Sequence, residues 1–123
     1  MYKGEVYSIS LGNEGIGSEQ KGDRYAVVIQ NNTGNYYSPT TIVALITSKM
    51  CKAQLPTHIE INKTNSGIMQ PSIIMCEQVR TVDKSRLGEK IGVLNYQKHQ
   101  ELNKALCISL DLNYIDNFEE EIA

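Results

Sequence analysis

Apolar segments of strand type recur along most of this chain, and they restrict its fold more than any other feature. Some are near-continuous runs of β-branched and aliphatic residues, as in strands buried on both faces. Others alternate apolar with polar residues, as in half-buried strands. The segments are residues 4–11, 25–29, 41–47, 58–61, 72–82 and 91–94. They predict a sheet of about six or seven antiparallel strands.

A helical period occurs only after these segments. Asn95 suits a helix N-cap, because its side chain can accept a hydrogen bond from a backbone N–H of the first turn. Apolar and small residues then recur at spacings of three and four: Leu102, Ala105, Leu106, Ser109 and Leu110. This pattern predicts one C-terminal amphipathic helix packed on the sheet. One turn of helix is expected near residues 84–87, and a turn at residues 31–35. The fold class is mostly β or α+β, a small barrel-like domain.

Composition agrees with a single folded domain. The chain has 123 residues, of which 41% are hydrophobic and 21% charged, which is unlike a disordered protein. No apolar run approaches the ~18 residues of a membrane span, and the N-terminus lacks the apolar segment of a signal peptide. We therefore expect a cytoplasmic protein that does not contact membranes. Cys51, Cys76 and Cys107 are far apart and in no C-x-x-C arrangement, so neither a disulfide framework nor a zinc site is indicated. No cofactor is expected.

Charge is distributed unevenly along the chain. All 12 lysines and arginines, but only 9 of the 14 acidic residues, lie in residues 1–110; the other 5 lie in residues 111–123. The body is therefore mildly basic, and the segment 113–123 is predicted to be an acidic C-terminal tail outside a domain of residues 1–112. This excess permits RNA as a partner but is too small for tight salt-driven binding.

A glycine-rich polar loop leads to an arginine at the edge of the predicted sheet. Residues 12–23 contain four glycines and show no periodicity, which is typical of a functional loop. Arg24 follows this loop, and Thr47 ends the 41–47 segment. On these residues alone, Arg24 is more often a solvated charge and Thr47 a strand former. His58 is expected to be a structural sheet residue and His99 to face solvent.

Eight short motifs in register resemble the MazF/PemK toxins, which are mRNA interferases of bacterial toxin–antitoxin pairs. The motifs are Gly4-Glu5-Val6-Tyr7, Gly17-Ser18-Glu19-Gln20 leading to Arg24, Val28-Ile29-Gln30-Asn31, Ser38-Pro39-Thr40, Ile46-Thr47, Leu55-Pro56-Thr57-His58, Glu77-Gln78-Val79-Arg80-Thr81 and Ile108-Ser109-Leu110. The resemblance covers about residues 3–112. It implies an SH3-like antiparallel barrel, a homodimer, and inhibition by a cognate MazE-like antitoxin. It also implies sequence-specific, ribosome-independent and metal-independent cleavage of single-stranded RNA.

The resemblance assigns the catalytic roles to Arg24 and Thr47. Cleavage without metal is most simply an attack by the RNA's own 2′-hydroxyl, leaving a 2′,3′-cyclic phosphate and a 5′-hydroxyl. A guanidinium suits stabilisation of the phosphorane, and a hydroxyl can position the phosphate or relay a proton. Glu19 and His58 are both open as the general base. The residues expected to bind RNA are Ser18, Glu19, Gln20, Asn31, Asn35, Leu55, Pro56, Glu77 and Gln78.

One position next to Arg24 departs from the family pattern. Family members commonly have Pro after the catalytic Arg, whereas this chain has Tyr25. Because Pro fixes φ near −65°, its absence predicts a less restrained Arg24. Two alternatives to the enzyme remain: a non-catalytic gyrase inhibitor of the CcdB type, whose terminal Trp-Gly-Ile this chain lacks, and an inactive module that binds RNA or antitoxin. The pair Tyr36 and Tyr37 could stack on bases or serve turn packing.

Overall fold

A computed structural model describes residues 1–12 and 23–112. The strands are β1 (Glu5–Ser10), β2 (Asp23–Val28), β3 (Thr40–Thr47), β4 (His58–Ile61), β5 (Ser72–Asp83) and β6 (Leu87–Val93). The helices are α1 (Asn32–Tyr37), α2 (Lys63–Ser66) and α3 (Tyr96–Leu110), with a 3₁₀ turn at Lys84–Arg86 between β5 and β6. Of the loop predicted at residues 12–23, residues 13–22 lie outside the described residues, as does the predicted tail at 113–123.

The strands form one antiparallel sheet in the order β4-β5-β3-β2-β1-β6. Its two edges approach each other through α2, which connects β4 to β5 and contacts β6. A Cβ added to Gly67 would lie 2.7 Å from the carbonyl oxygen of Ile91, and one added to Gly92 would lie 2.5 Å from that of Ser66. These glycines let two backbones touch. The sheet is thereby rolled into a barrel, and the predicted fold class is confirmed.

Apolar side chains pack into two clusters, one on each face of the sheet. The first includes Val27 and Ala44 of the central strands together with Leu102 and Ala105 of α3. The second includes Val28, Val43, Leu45 and Ile73. Neighbouring residues of one strand therefore enter different clusters, as strand geometry requires. The near-continuous apolar runs at 25–29 and 41–47 are explained because both faces of these strands are buried.

The C-terminal helix follows its prediction closely. The Oδ1 atom of Asn95 accepts a hydrogen bond from the backbone N–H of Lys98 at 2.9 Å, which caps α3. The helix ends at Asp111, whose φ of 55° is left-handed. His99, however, was expected to face solvent and is half-buried over Gly4, where an added Cβ would lie 3.3 Å from its ring. Burial and the nearby Lys3 charge lower the pKa of His99.

The structure differs from the sequence predictions at three local elements. Residues 31–35 do not form a simple turn, because Asn31 caps α1, a helix of two turns at most. The α2 helix was not predicted, although Asn62 and Asn65 form a reciprocal capping box and Gly67 ends it in the left-handed region. β6 begins at Leu87 rather than at residue 91. Leu87 is partly buried on the second core cluster, but Gly88, Glu89 and Lys90 are exposed, so no apolar pattern marks this start.

Candidate active site

Arg24 and Thr47 lie side by side at one end of the sheet. In the β2–β3 pair, Tyr25 lies opposite Ile46, and Ala26 opposite Leu45. One further step of the same register places Arg24 opposite Thr47, and residues directly opposite each other in an antiparallel pair share a face. That face is the one on which Ala26 and Leu45 pack. Two residues distant in sequence are therefore cross-strand neighbours.

The backbone of Arg24 is held by sheet pairing on its other side as well. Arg24 is the second residue of β2 and lies opposite Ile9 of β1, while Tyr25 lies opposite Ser8. The weaker restraint expected where Tyr25 replaces Pro stays a prediction for the Arg24 side chain. Membership of a paired strand fixes the backbone at Arg24 without a Pro ring.

Thr47 ends β3 with its side chain 5% exposed. Its Oγ1 atom accepts a hydrogen bond from the backbone N–H of Lys49 at 3.1 Å. A hydroxyl is one donor and two acceptors, so this bond leaves the hydroxyl proton available for a phosphate oxygen. The bond also fixes the turn that brings the exposed Lys49 beside the strand end.

Both residues line a cavity of about 470 Å³. Its polar wall includes Arg24, Thr47, Ser48, Lys49 and Gln70. Its apolar wall includes Tyr25, Ile46, Ile68, Met69 and Ile91. Because Tyr25 and Ile46 alternate with Arg24 and Thr47 along their strands, the cavity reaches around the end of the sheet from one face to the other.

The segment between α2 and β5 contributes residues that were not predicted from the sequence. Ile68, Met69 and Gln70 enter the cavity wall after Gly67. A signal for this segment was present, since the Asn62 cap and Gly67 mark a one-turn helix that reverses the chain. No sequence pattern, however, indicates that this reversal ends beside Arg24.

Glu77 and Gln78 lie in a bulge of β5. Ala44 of β3 lies opposite Val79, and the next residue, Leu45, lies opposite Met75, so residues 76–78 have no counterpart on β3. Within the described residues, the Oε1 atom of Gln78 is buried without a hydrogen-bond partner. Neither Glu77 nor Gln78 lines the cavity that contains Arg24.

The carboxylate of Glu77 binds the β3–β4 loop. Its Oε1 accepts from the Thr57 hydroxyl at 2.9 Å, and its Oε2 contacts Nε2 of His58 at 2.9 Å. The Nδ1 atom of His58 accepts from the Gln54 backbone N–H at 3.2 Å, so a neutral ring carries its proton on Nε2 and donates to Glu77. Burial raises the pKa of Glu77, but these hydrogen bonds outweigh it and the pKa is lowered.

This network bears out the structural role predicted for His58 and leaves the predicted RNA contact of Glu77 open. His58 is a structural sheet residue, as expected, because both ring nitrogens are engaged and its side chain is 3% exposed. Both oxygens of Glu77 already accept hydrogen bonds within the protein, so direct RNA contact by Glu77 remains a prediction. Leu55 and Pro56 are exposed on the loop that this network holds.

Asn31 and Asn35 lie at the other end of the central strands, on the β2–β3 connection. The Oδ1 atom of Asn31 accepts from the Gly34 N–H at 2.8 Å and caps α1. Asn35 is 3% exposed; its Oδ1 accepts from Thr41 at 2.7 Å and its Nδ2 donates to the Gln30 carbonyl at 2.9 Å. RNA contact by Asn35 stays a prediction, and the side chain is already buried and engaged in these bonds.

Three of the residues predicted to bind RNA, Ser18, Glu19 and Gln20, lie outside the described residues. In residues 1–12 and 23–112, no group of three or more His, Cys, Asp or Glu side chains could hold a metal ion. Over the same ranges, no helix has the length and apolar composition needed to cross a bilayer.

The same architecture occurs in solved toxin structures of low sequence identity. An endoribonuclease in complex with its cognate antitoxin, from Mycobacterial species, has a TM-score of 0.76 at 19% identity, covering 92% of this chain and 97% of that one. The Mycobacterium tuberculosis toxin MazF-mt6 has a TM-score of 0.73 at 23% identity, covering 89% and 98%. These similarities define the fold as that of a MazF-type toxin.

Sequence similarity identifies the family. A family model described as PemK-like, MazF-like toxin of type II toxin-antitoxin system matches residues 2–110. A protein of Staphylococcus saprophyticus named endoribonuclease MazF is 50% identical over 115 residues, which is 94% of this chain and 95% of that relative. This chain belongs to the PemK-like, MazF-like toxin family.

Proposed function

We propose that this chain is an endoribonuclease toxin that cleaves single-stranded RNA in the cavity containing Arg24 and Thr47. The family resemblance singles out these two residues. The observation that carries the proposal is that they are cross-strand neighbours in one cavity. The relative named endoribonuclease MazF, with 50% identity, supports the reaction class. The cavity also offers Lys49 as a second cation for a neighbouring phosphate.

The proposed reaction begins with attack of the RNA 2′-hydroxyl on the adjacent phosphorus. The P–O5′ bond breaks, leaving a 2′,3′-cyclic phosphate on one product and a 5′-hydroxyl on the other. Arg24 donates hydrogen bonds to the phosphorane oxygens, where negative charge increases. Thr47 orients the phosphate through its hydroxyl. Arg24 is a poor base, because a guanidinium group already carries its proton, and its easier role is to give a proton to the leaving O5′, which becomes the 5′-hydroxyl.

The general base remains open. His58 is unsuited, because its ring is buried and both nitrogens are already bonded to Gln54 and Glu77. Glu19, the other candidate from the sequence, lies outside the described residues. The proposal therefore assigns positioning and charge stabilisation to Arg24 and Thr47 and leaves proton removal unassigned.

Partners are proposed from the family. The relative of known structure from Mycobacterial species is in complex with its cognate antitoxin, and we propose that this chain is likewise neutralised by a MazE-like antitoxin. We further propose a cytoplasmic homodimer that cleaves mRNA at a short recognition sequence, without ribosomes or metal ions. Light scattering at micromolar concentration tests the dimer, and a monomer would contradict it.

Cleavage of a long RNA in EDTA tests the proposed function. Wild type should cut the RNA, and Arg24→Ala should lower turnover roughly 10²–10³-fold, as expected for loss of one charge-stabilising donor. Lys104→Ala is the matched control, since it removes an exposed cation on α3 away from the cavity. Mapping of product ends should find cyclic phosphates and give the recognition sequence.

Each contrary result of this experiment has a distinct meaning. Uncut RNA would contradict the enzyme and favour a gyrase inhibitor or an inactive binding module. Equal cutting by wild type and Arg24→Ala would contradict the role of Arg24 but not the activity. Cutting that requires added Mg²⁺ would contradict the metal-independent reaction.

A further inference from the structure

The cavity beside Arg24 has an apolar wall that phosphate chemistry does not use. Tyr25 is 43% exposed although it lies within β2, and Met69 on the α2–β5 connection is 71% exposed. Ile68 and Ile91 belong to or pack on the first core cluster, so this wall continues the core to the surface. An exposed aromatic ring and a thioether at the rim of a cavity are costly to leave in water and suit a flat apolar ligand.

The position of this wall relative to the catalytic pair indicates what binds there. Arg24 and Thr47 lie on one face of the strand ends, whereas Tyr25 and Ile46 lie on the other. All four residues line the same cavity, so a phosphodiester held at Arg24 places its attached nucleoside in the cavity whose wall includes Tyr25. Gln70 also lines the cavity, and its amide offers both a donor and an acceptor to a base edge.

We propose that Tyr25 and Met69 form a subsite for one unpaired nucleobase next to the scissile phosphate, with the base stacked on the Tyr25 ring. Stacking on an aromatic side chain is the common way in which proteins hold unpaired bases, and it tolerates any base identity. The cavity volume of about 470 Å³ accommodates a base as well as a phosphate. Gln70 supplies whatever base preference this subsite has. The inference rests on the proposed function, because it assigns a substrate group to the same cavity.

The backbone contact between Gly67 and Gly92 holds this subsite together. Gly67 immediately precedes Ile68 and Met69, and its Cα packs on β6 beside Ile91. The asparagine side chains of the α2 capping box fix the same segment from the other end. Tyr25 therefore lies on a paired strand, and Met69 on a turn that is held at both ends. Both side chains start from a fixed backbone, which a stacking site requires.

The first experiment compares tyrosine variants on a short RNA that contains the mapped cleavage site. Tyr25→Ala should lower kcat/KM roughly 10- to 100-fold, mainly through KM, because stacking contributes to binding rather than to the chemical step. Tyr25→Phe should retain most of the activity, since the phenyl ring still stacks. Tyr96→Ala is the control, because Tyr96 is 80% exposed on α3 and does not line the cavity. Thermal melts should show each variant folded.

The second experiment removes the base instead of the ring. Oligonucleotides with a single abasic position, on either side of the cleaved bond, are compared in wild type and Tyr25→Ala. At one of these positions, the abasic RNA should lower kcat/KM of wild type about as much as Tyr25→Ala lowers it on the intact RNA. The same abasic RNA should lower kcat/KM of Tyr25→Ala little further, since the two changes remove one interaction.

The outcomes separate the subsite from the proposed function. If Arg24→Ala is impaired but Tyr25→Ala cuts like wild type, or if the abasic loss is the same in both proteins, the base subsite is wrong and the nuclease stands. A Tyr25→Ala protein that is impaired only in binding the antitoxin would assign the apolar wall to a peptide instead and would also overturn the subsite. If wild type cuts no RNA, the proposed function itself fails.

Discussion

At the scale of single residues, the candidate site depends on a cross-strand register. Arg24 and Thr47 are separated in sequence by a helix and a strand, yet continuation of the β2–β3 pairing places them opposite each other. The family resemblance selected both residues, and the strand pattern alone predicted only that each marks a strand end. The burial of Asn35 was not predicted from the sequence. Its side chain bonds to Gln30 and Thr41, and no local pattern indicates these contacts.

Thr47 is tested by removing its hydroxyl without changing its shape. Thr47→Val should lower kcat about 100-fold, in the range of a lost positioning or proton-relay group. Thr47→Ser keeps the hydroxyl and should remain within about tenfold of wild type. The melting temperature should fall only slightly, because the lost hydrogen bond from the Lys49 N–H is worth about 1 kcal/mol. Equal activity of the Val and Ser variants would remove Thr47 from the mechanism.

At the scale of elements, the sequence pattern predicted the strands and the helix that bury apolar side chains. It missed the elements that depend on local hydrogen bonds. The two central strands, β5 and α3 have strong apolar periods and were found close to their bounds. α1 has no such period, because a side-chain cap begins it. Residues 88–90 of β6 have none either, because pairing with β1 makes them a strand. The bulge at residues 76–78 was not predictable either, because it is a mismatch between two strands rather than a property of one.

The Glu77 network is expected to hold the β3–β4 loop in place. Glu77→Ala should lower the free energy of unfolding by about 1–3 kcal/mol, because the buried Nε2–H of His58 loses its acceptor. Trypsin should then cut faster at Lys49 and Lys52, which lie on this loop. Glu89→Ala is the control, since Glu89 is exposed on β6. An unchanged rate of proteolysis in Glu77→Ala would show that the loop is held by other contacts.

The closure of the barrel is tested at Gly92. Gly92→Ala places a Cβ 2.5 Å from the Ser66 carbonyl oxygen, so α2 or β6 must move. We expect a loss of about 1–3 kcal/mol in stability, the usual cost of overpacking. RNA cleavage should fall in addition, measured well below the melting temperature, because the Ile68–Gln70 wall moves with α2. Gly34→Ala is a comparison at a glycine whose added Cβ would meet side-chain atoms of Gln30, at 3.0 Å, rather than a backbone carbonyl. A stable, fully active Gly92→Ala protein would contradict this account.

At the scale of the whole molecule, ionisable groups on the neighbouring strands β1 and β6 define a range of pH for stability. Glu5 is buried in β1 and accepts from the Tyr7 hydroxyl at 2.8 Å and from Lys90 of β6 at 2.8 Å. Burial raises the pKa of Glu5, but the bonds from Lys90, the Tyr2 N–H and Tyr7 bring it below its usual 4.5. Burial, followed by the bond to Glu5 and its charge, raises the pKa of Tyr7 to about 12.

These shifts predict opposite losses of stability at the two ends of the pH scale. A lowered carboxyl pKa gives stability that is present above pH 4.5 and disappears as the pH falls through the folded value. A raised tyrosine pKa gives stability that is present below pH 10 and disappears between pH 10 and about 12. Urea unfolding across pH should show both declines. Glu5→Gln should flatten the acid decline and Tyr7→Phe the alkaline one, while the exposed Tyr96→Phe should change neither.

The contact of α2 with β6 also bears on when activity can first appear during protein synthesis. The cavity walls come from residues 24–25, 46–49, 67–70 and 91, so the cavity needs the last strand of the sheet. Chains emerge from the ribosome N-terminus first. A nascent chain whose β6 is still inside the ribosome has the Arg24–Thr47 pair but lacks one wall of the cavity. The complete cavity therefore cannot form until the chain is nearly finished.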